Sequence, residues 1–212
     1  GADCVAQSTH KLIGSLTQTS MLHCRKGFPL LDRVSAAMAV VQSTSPHYWF
    51  LASLDSARQQ VALHGTELVG RAVALARQLR QELNAIPGIF SFGREIMQYE
   101  AVGGFDETKV TIDFSGLGLD GRAAEAALRA QGIEVELIAG NHVLVLITLG
   151  DDEESVRALL QACQHIAAAH EVCTAVPVQE RPLPTPQVAV APRNAWTAAR
   201  EVIPFVEAEG RV

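Results

Sequence analysis

The chain has 212 residues, of which 48% are hydrophobic and 19% charged, with a formal net charge of −6. This composition is typical of a globular protein, and the acidic balance excludes a general nucleic-acid binder, which would carry a basic patch. No apolar run has the length needed to cross a bilayer and no leader pattern is present, so we expect a cytoplasmic protein without membrane contact. Because it begins Gly1-Ala2-Asp3 without Met, we expect a processed chain or a piece of a longer one.

Cysteine and histidine spacing predicts no metal site. The four cysteines fit no metal-ligand spacing, and the seven histidines show none of the paired spacings that bind zinc. We expect reduced thiols at all four positions, as is usual in the cytoplasm. These positions are Cys4, Cys24, Cys163 and Cys173.

Two strands and two helices are predicted in the first third of the chain. Residues 3–8 form the pattern of a short strand, and residues 17–24 that of a returning strand. A helix is predicted from Pro29 to Val41, because proline is tolerated in a first helical turn. Ser45 is predicted to cap the next helix, with Pro46 just inside it.

Apolar residues at spacings of three and four predict further helix up to Ile86. An interruption is expected at His64-Gly65, since glycine weakens a helix interior. The sequence Ile86-Pro87-Gly88 is predicted to end this helical region.

The second half alternates in a β-α-β-β-α order, which predicts a small antiparallel sheet with helices on one face. Asp120 is predicted to cap the first of these helices, and Gly132 to stop it. A hairpin is predicted across Gly140-Asn141. The predicted elements are a strand over 109–114, a helix over 120–131, strands over 133–138 and 142–148, and a helix over 151–169. A proline-rich connector over 177–192 and an amphipathic helix over 196–209 are predicted to follow.

The segment Ser8-Thr9-His10-Lys11 carries the strongest indication of chemistry. A lysine acts as a nucleophile when its amine is kept partly neutral and is held against an electrophile. The aldehyde of pyridoxal 5'-phosphate is such an electrophile, and its phosphate requires hydroxyls and amides. Ser8 is placed to reach the phosphate while Lys11 reaches the aldehyde, and His10 to contact the phosphate or the ring.

A longer pattern around this lysine resembles a known motif. Ala6 to Lys11, two spacer residues and then Gly14 to Ser20 resemble the pyridoxal-phosphate attachment motif of the Orn/Lys/Arg decarboxylase family. The resemblance continues over Gln42 to Arg58, with Ser-Pro and Ala-Ser-Leu-Asp-Ser-Ala-Arg. Ala191 to Arg193 and Val206 to Arg211 are similar to a late segment of the family.

The resemblance implies an α/β fold class: part of an aspartate-aminotransferase-like large domain (fold type I) plus an α+β small domain. Domains would divide as 1–58 for the end of the cofactor-binding large domain, 59–108 for linking helices, 109–176 for the small domain and 177–212 for the connector and last helix. The family implies decarboxylation of arginine, lysine or ornithine to a polyamine precursor, in a homo-oligomer. The ring-nitrogen and ring-stacking residues would lie upstream of Gly1, so this chain alone is expected to be inactive.

The family's site residues transfer to this chain position by position. Lys11 would be the catalytic, Schiff-base lysine, and Ser8 and His10 would bind the cofactor. Ser43, Thr44 and Ser45 would contact the phosphate from a neighbouring subunit, although a plain helix cap explains them equally well. Asp55 and Arg58, one helical turn apart, are expected to form a structural pair.

Two alternative functions stay open at this point. The chain is also compatible with a different fold type I enzyme, such as a lyase or aminotransferase, because a fold does not determine a reaction. It is also compatible with a non-catalytic regulatory or oligomerisation module in which Lys11 has no chemical role.

Overall fold

In the computed structural model, which describes residues 2–174 and 184–210, the chain divides into two units, Gly1–Val178 and Gln179–Val212. The helices described are α1 (Thr9–Leu12), α2 (Leu31–Val41), α3 (Tyr48–Leu83), α4 (Gly121–Ala130), α5 (Glu153–Ala168) and α6 (Pro192–Thr197). The strands described are β1 (Cys4–Gln7), β2 (Met21–Cys24), β3 (Lys109–Asp113), β4 (Leu137–Ala139) and β5 (His142–Leu146).

The hairpin formed by β1 and β2 presents α1 and the loop that follows it. The strands pair antiparallel, with Cys4 opposite Cys24 and Gln7 opposite Met21. An ion pair between Arg25 Nε and Asp3 Oδ1, at 2.7 Å, closes the open end. Apolar side chains on this hairpin and its loop are exposed; Val5, for example, is 48% exposed.

The second sheet supplies the core. Its described strands run in the order β3-β5-β4, all antiparallel, so the predicted hairpin across Gly140-Asn141 is confirmed. Alternate residues of β3 and β5 are buried, which places one face of the sheet against the helices. The buried face is Val110, Ile112, Val143 and Val145.

Helices α3, α4 and α5 bury their apolar stripes in this same core. Leu79 and Leu83 of α3 are fully buried, as are Leu128 of α4 and Cys163 of α5. Burial raises the pKa of the Cys163 thiol to about 12. The sheet therefore shares its core with the C-terminal half of α3 as well as with the two helices predicted beside it. The domain division predicted from the sequence stays a prediction.

The helix cap predicted at Asp120 is confirmed, and the next helix has an aspartate cap as well. The Asp120 side chain accepts a hydrogen bond from the Ala123 N–H at 2.8 Å, at the start of α4. Asp152 caps α5 in the same way, accepting from the N–H groups of Glu154 and Ser155. Short polar side chains satisfy these donors because the first turn of a helix leaves its N–H groups without partners.

The predicted interruption at His64-Gly65 is wrong, because α3 runs without a break from Tyr48 to Leu83. A glycine inside a helix costs about 1 kcal/mol, which burial of the C-terminal half of α3 offsets. Gly65 is itself buried, and a Cβ there would lie 3.1 Å from the Val61 side chain.

The predicted cap at Ser45 is also wrong. Helix α3 begins at Tyr48 with His47 as its N-cap residue and no side-chain cap. The Ser45 N–H instead donates to the Ser43 hydroxyl at 3.1 Å, a local turn that competes with helix formation.

The amphipathic helix predicted over 196–209 is wrong as well. In the second unit, α6 ends at Thr197, and a 3₁₀ turn over Phe205–Glu207 follows. Pro204 lies inside the predicted helix and lacks an N–H, so a continuous helix is disfavoured there. The predicted connector lies partly outside the described residues. In its described part, residues 184–191 have no helix or strand, and Pro192 begins α6.

Candidate functional site

Lys11 lies in α1, the single helical turn that directly follows β1. Its side chain is exposed, and Ser8, at the N-cap position, is exposed as well. Ser8 makes no side-chain cap, and its hydroxyl has no hydrogen-bond partner among residues 2–174 as described. The strand thus ends by presenting an amine and a hydroxyl within one turn of the chain.

His10 is held by a hydrogen bond from its ring to the backbone. Its Nδ1 lies 2.6 Å from the carbonyl oxygen of Thr19, across the loop that joins α1 to β2. A carbonyl oxygen only accepts, so Nδ1 is the protonated nitrogen and donates this bond. The Nε2 nitrogen has no hydrogen-bond partner within residues 2–174 as described.

Buried hydroxyls support the loop behind His10. Thr19 is 3% exposed, and its hydroxyl lies 2.6 Å from the Ser15 hydroxyl and donates to the Leu16 carbonyl at 2.6 Å. The Leu16 N–H in turn donates to the Ser53 hydroxyl of α3 at 3.2 Å. Sequence reasoning placed Ser15 and Thr19 in the motif, but it gave no sign that these two hydroxyls, rather than that of Thr17, are buried.

Ser43, Thr44 and Ser45 lie apart from this cluster, in the exposed loop between α2 and α3. Within the described residues of the first unit, no hydrogen bond or ion pair joins them to Ser8, His10 or Lys11. Ser8, His10 and Lys11 thus lie within one turn of the chain, whereas the other three predicted site residues lie elsewhere. The role of all six stays a prediction.

Asp55 and Arg58 form the predicted structural pair. The Arg58 Nε donates to Asp55 Oδ1 at 2.8 Å on the exposed face of α3. This contact is the one-turn pair that the spacing of the two residues predicts.

A cavity of about 210 Å³ lies beside the residues that follow Lys11. Leu12 and Ile13 form part of its wall, together with α3 and the ends of β3 and β5. Asp106 is the carboxylate of this wall, and its Oδ2 pairs with Lys109 Nζ at 3.2 Å. Partial burial acts to raise the pKa of Asp106. The hydrogen bonds from Thr108 and the contact with Lys109 outweigh this effect, so the pKa is lower than usual. Its charge is thus already neutralised by a neighbouring cation.

Across residues 2–174 and 184–210, no cluster of three or more His, Cys, Asp or Glu side chains is arranged to hold a metal ion. The helices in those ranges also include none that is long and apolar enough to cross a membrane.

Comparison with known proteins identifies the class to which this fold and lysine segment belong. The structure of the constitutive lysine decarboxylase of Escherichia coli is similar, with a TM-score of 0.63 and 22% identity over 78% of this chain and 28% of that one. This similarity shows a shared fold. The profile of the family described as Orn/Lys/Arg decarboxylase, major domain, matches residues 2–155. The chain belongs to that family.

Curated relatives extend the match over the whole chain. The arginine decarboxylase of Halalkalibacterium halodurans is 39% identical over 214 residues, covering 100% of this chain and 44% of the relative. The arginine decarboxylase of Bacillus subtilis is 40% identical over 220 residues, again covering 100% and 44%. The chain thus spans less than half the length of these relatives.

Proposed function

We propose that this chain is the part of a pyridoxal-phosphate-dependent arginine decarboxylase that attaches the cofactor, with Lys11 as the attachment residue. The observation that carries the proposal is the family match over residues 2–155, which includes the lysine segment at the end of β1. Arginine is proposed over lysine or ornithine because relatives named arginine decarboxylase match the whole chain at 39–40% identity. We further propose a cytoplasmic homo-oligomer.

The residues present fit pyridoxal phosphate. The sequence holds three lysines, Lys11, Lys26 and Lys109. Lys109 is paired with Asp106, and Lys26 lies in the turn after β2, outside the motif. Lys11 is exposed, the Ser8 hydroxyl makes no helix cap, and His10 Nε2 has no hydrogen-bond partner among the described residues. These groups suit a cofactor that carries an aldehyde and a phosphate.

Each residue then has a defined task. When bound, pyridoxal phosphate supplies a ring that accepts the electron pair released as carbon dioxide leaves. Lys11 Nζ would hold the cofactor through its aldehyde carbon. The Ser8 hydroxyl donates to the phosphate, and His10 Nε2 binds the phosphate or the ring. In our proposal, Ser43, Thr44 and Ser45 bind the phosphate of a partner subunit.

The test uses the full-length protein that carries this sequence. Borohydride reduction in the presence of pyridoxal phosphate, followed by peptide mass spectrometry, is expected to place the label on Lys11. Lys11→Ala is expected to abolish the label, the visible absorption band and release of carbon dioxide from arginine. The matched control, Lys26→Ala, keeps all three.

Three outcomes would contradict this proposal. A label on Lys26 or Lys109 would overturn the assignment of Lys11. Faster release of carbon dioxide from lysine or ornithine than from arginine, at equal concentration, would overturn the proposed substrate. An unlabelled and inactive wild-type protein would favour the non-catalytic module.

A further inference from the structure

We propose that Thr19 is a positioning residue, which fixes His10 as the Nδ1–H tautomer and leaves Nε2 as an unprotonated nitrogen beside Lys11. The tautomer is inferred from the contacts of this chain alone. Its use toward the phosphate or ring rests on the proposed function above.

The direct contact is the short hydrogen bond from His10 Nδ1 to the Thr19 carbonyl, at 2.6 Å. A neutral imidazole has one N–H, and the partner of one nitrogen determines which nitrogen carries it. Because the carbonyl oxygen cannot donate, the neutral ring is expected to carry its proton on Nδ1. Its Nε2 then presents a lone pair in the neutral form and an N–H when the ring is protonated.

The hydroxyl of Thr19 holds that carbonyl in place. The hydroxyl is bonded to Ser15 and to the Leu16 carbonyl, each at 2.6 Å, and the Thr19 N–H donates to the same carbonyl at 3.2 Å. The side chain is 3% exposed, so water does not compete for these bonds. A buried hydroxyl bonded on both sides keeps a short loop in one conformation.

The backbone before Thr19 is strained, which indicates that the loop conformation is imposed. Gln18 has φ of 74°, the one positive φ of a non-glycine residue among those described. The left-handed conformation costs a side chain roughly 1–2 kcal/mol and persists where surrounding contacts determine it. Here those contacts are the bonds of the Thr19 hydroxyl.

A second link connects this loop to the long helix. The Ser53 hydroxyl accepts from the Leu16 N–H at 3.2 Å and donates to the Phe50 carbonyl at 3.0 Å. The orientation of the His10 ring therefore depends on a continuous path from α3 through Leu16 and Thr19.

The test is a spectroscopic measurement on the full 212-residue chain. Long-range ¹H–¹⁵N correlation spectra, at a pH where the His10 ring is neutral, distinguish protonated from unprotonated ring nitrogens. His10→Gln identifies the His10 signals among the seven histidines. The wild-type ring is expected to show a protonated Nδ1 and an unprotonated Nε2. A ring that carries its proton mainly on Nε2 would overturn the proposal without any further variant.

Substitutions separate positioning from general stability. Thr19→Val removes the hydroxyl with little change in volume, and is expected to shift the tautomer ratio of His10 by about two- to tenfold toward Nε2–H. Thr19→Ser restores the hydroxyl and is expected to restore the wild-type ratio. Thr17→Val, the matched control at an exposed neighbour, leaves it unchanged. An unchanged ratio in Thr19→Val, with the amide signals of β3 and β5 intact, would also refute the proposal.

Cofactor attachment is measured separately, in the full-length protein. If Lys11 takes no label while His10 has the expected tautomer, the proposed function fails and the positioning role of Thr19 stands. If Lys11 is labelled but His10 carries its proton on Nε2, the proposed function stands and the positioning role fails.

Discussion

Buried polar groups fix the connections between elements at the level of single residues. Arg80 lies on the buried face of α3, and its guanidinium donates to the carbonyls of Phe92, Glu107 and Lys109 at 3.1, 2.6 and 2.6 Å. Burial lowers the pKa of Arg80, opposed by nearby carboxylates that include Glu107. An arginine suits this site because its planar group donates in several directions at once. Sequence periodicity alone would place a leucine or alanine there.

The Glu107 carboxylate predicts a specific pH dependence of stability. Hydrogen bonds from Arg77 and then Arg94 outweigh desolvation and lower the pKa of Glu107 to about 2. The carboxylate binds both arginines, at 2.5 Å from Arg77 Nε and 2.9 Å from Arg94 Nη1, and its side chain is 10% exposed. In the unfolded chain, a glutamate has a pKa of about 4.3.

Because the folded-state pKa is depressed, Glu107 stabilises the fold above the unfolded pKa. This contribution is lost as the pH falls from roughly 4.3 towards about 2. Glu107→Gln is therefore expected to lower the free energy of unfolding at pH 7, and the difference from wild type should shrink over this window. Urea unfolding of both proteins at a series of pH values measures this difference in the free energy of unfolding. Glu67→Gln, at an exposed position on α3, serves as the control. A difference that stays constant down to pH 2 would show that the two arginines do not stabilise the charged carboxylate.

The β1–β2 hairpin brings together two cysteines that sequence spacing left apart. Cys4 and Cys24 are direct cross-strand partners, and their Sγ atoms lie 3.7 Å apart as free thiols. Desolvation and contact with Cys24 raise the pKa of Cys4. Partner Cα atoms in antiparallel strands are about 4.5–5.5 Å apart, within the roughly 4.4–6.8 Å that a disulfide spans. Pairing register is a long-range property, which explains why spacing along the chain did not reveal the pair.

Cys4 and Cys24 are expected to form a disulfide when the 212-residue chain meets a low-molecular-weight disulfide. In this exchange the two protein thiols are oxidised, and the reagent is reduced to two thiols. Mass spectrometry is expected to show loss of two hydrogens and a crosslinked peptide, which Cys24→Ser abolishes. Cys163 is fully buried and is expected to stay a thiol. Separate adducts on Cys4 and Cys24, without the crosslink, would show that the two sulfurs do not meet in solution.

Other elements show where sequence patterns suffice and where they fail. The Asp120 cap and the hairpin across Gly140-Asn141 were predictable because neighbouring residues alone determine them. The length of α3 was not predictable from local patterns, since burial of its C-terminal half outweighs the weak helix propensity of Gly65. The lysine segment was predictable as a motif, whereas the bond from His10 to Thr19 depends on how the loop between residues nine positions apart closes.

At the scale of the whole molecule, stability is unevenly distributed along the first unit. Its large buried side chains belong to the C-terminal half of α3, the β3-β5-β4 sheet, α4 and α5. A few others, such as Phe114, lie in the segments that connect these elements. The hairpin that carries Lys11 contributes no residue to this cluster, and α2 has no buried residue. Segments with few buried apolar contacts open at lower free energy than the core. The proposed site thus lies on the less stable part of the unit.

Native-state hydrogen exchange of the 212-residue chain is expected to reveal this division. Amides of β3, β5 and α3 from Leu75 to Leu83 should exchange slowly and at similar rates, because they share one core. Amides of residues 4–24 should exchange faster. If residues 109–169 exchange as fast as residues 4–24, the sheet and its helices do not form a separately stable core.

A pair of leucines on α3 tests whether the helix and the sheet are one cooperative unit. Leu79 is fully buried in the shared core, whereas Leu63, four turns earlier on the same helix, is 68% exposed. Leu79→Ala is expected to cost about 2–5 kcal/mol, and Leu63→Ala less than about 0.5 kcal/mol. If the core is shared, Leu79→Ala accelerates exchange in β3 and β5 as much as in α3, while Leu63→Ala leaves all three unchanged. Acceleration confined to α3 would mean that the sheet keeps its stability without the helix.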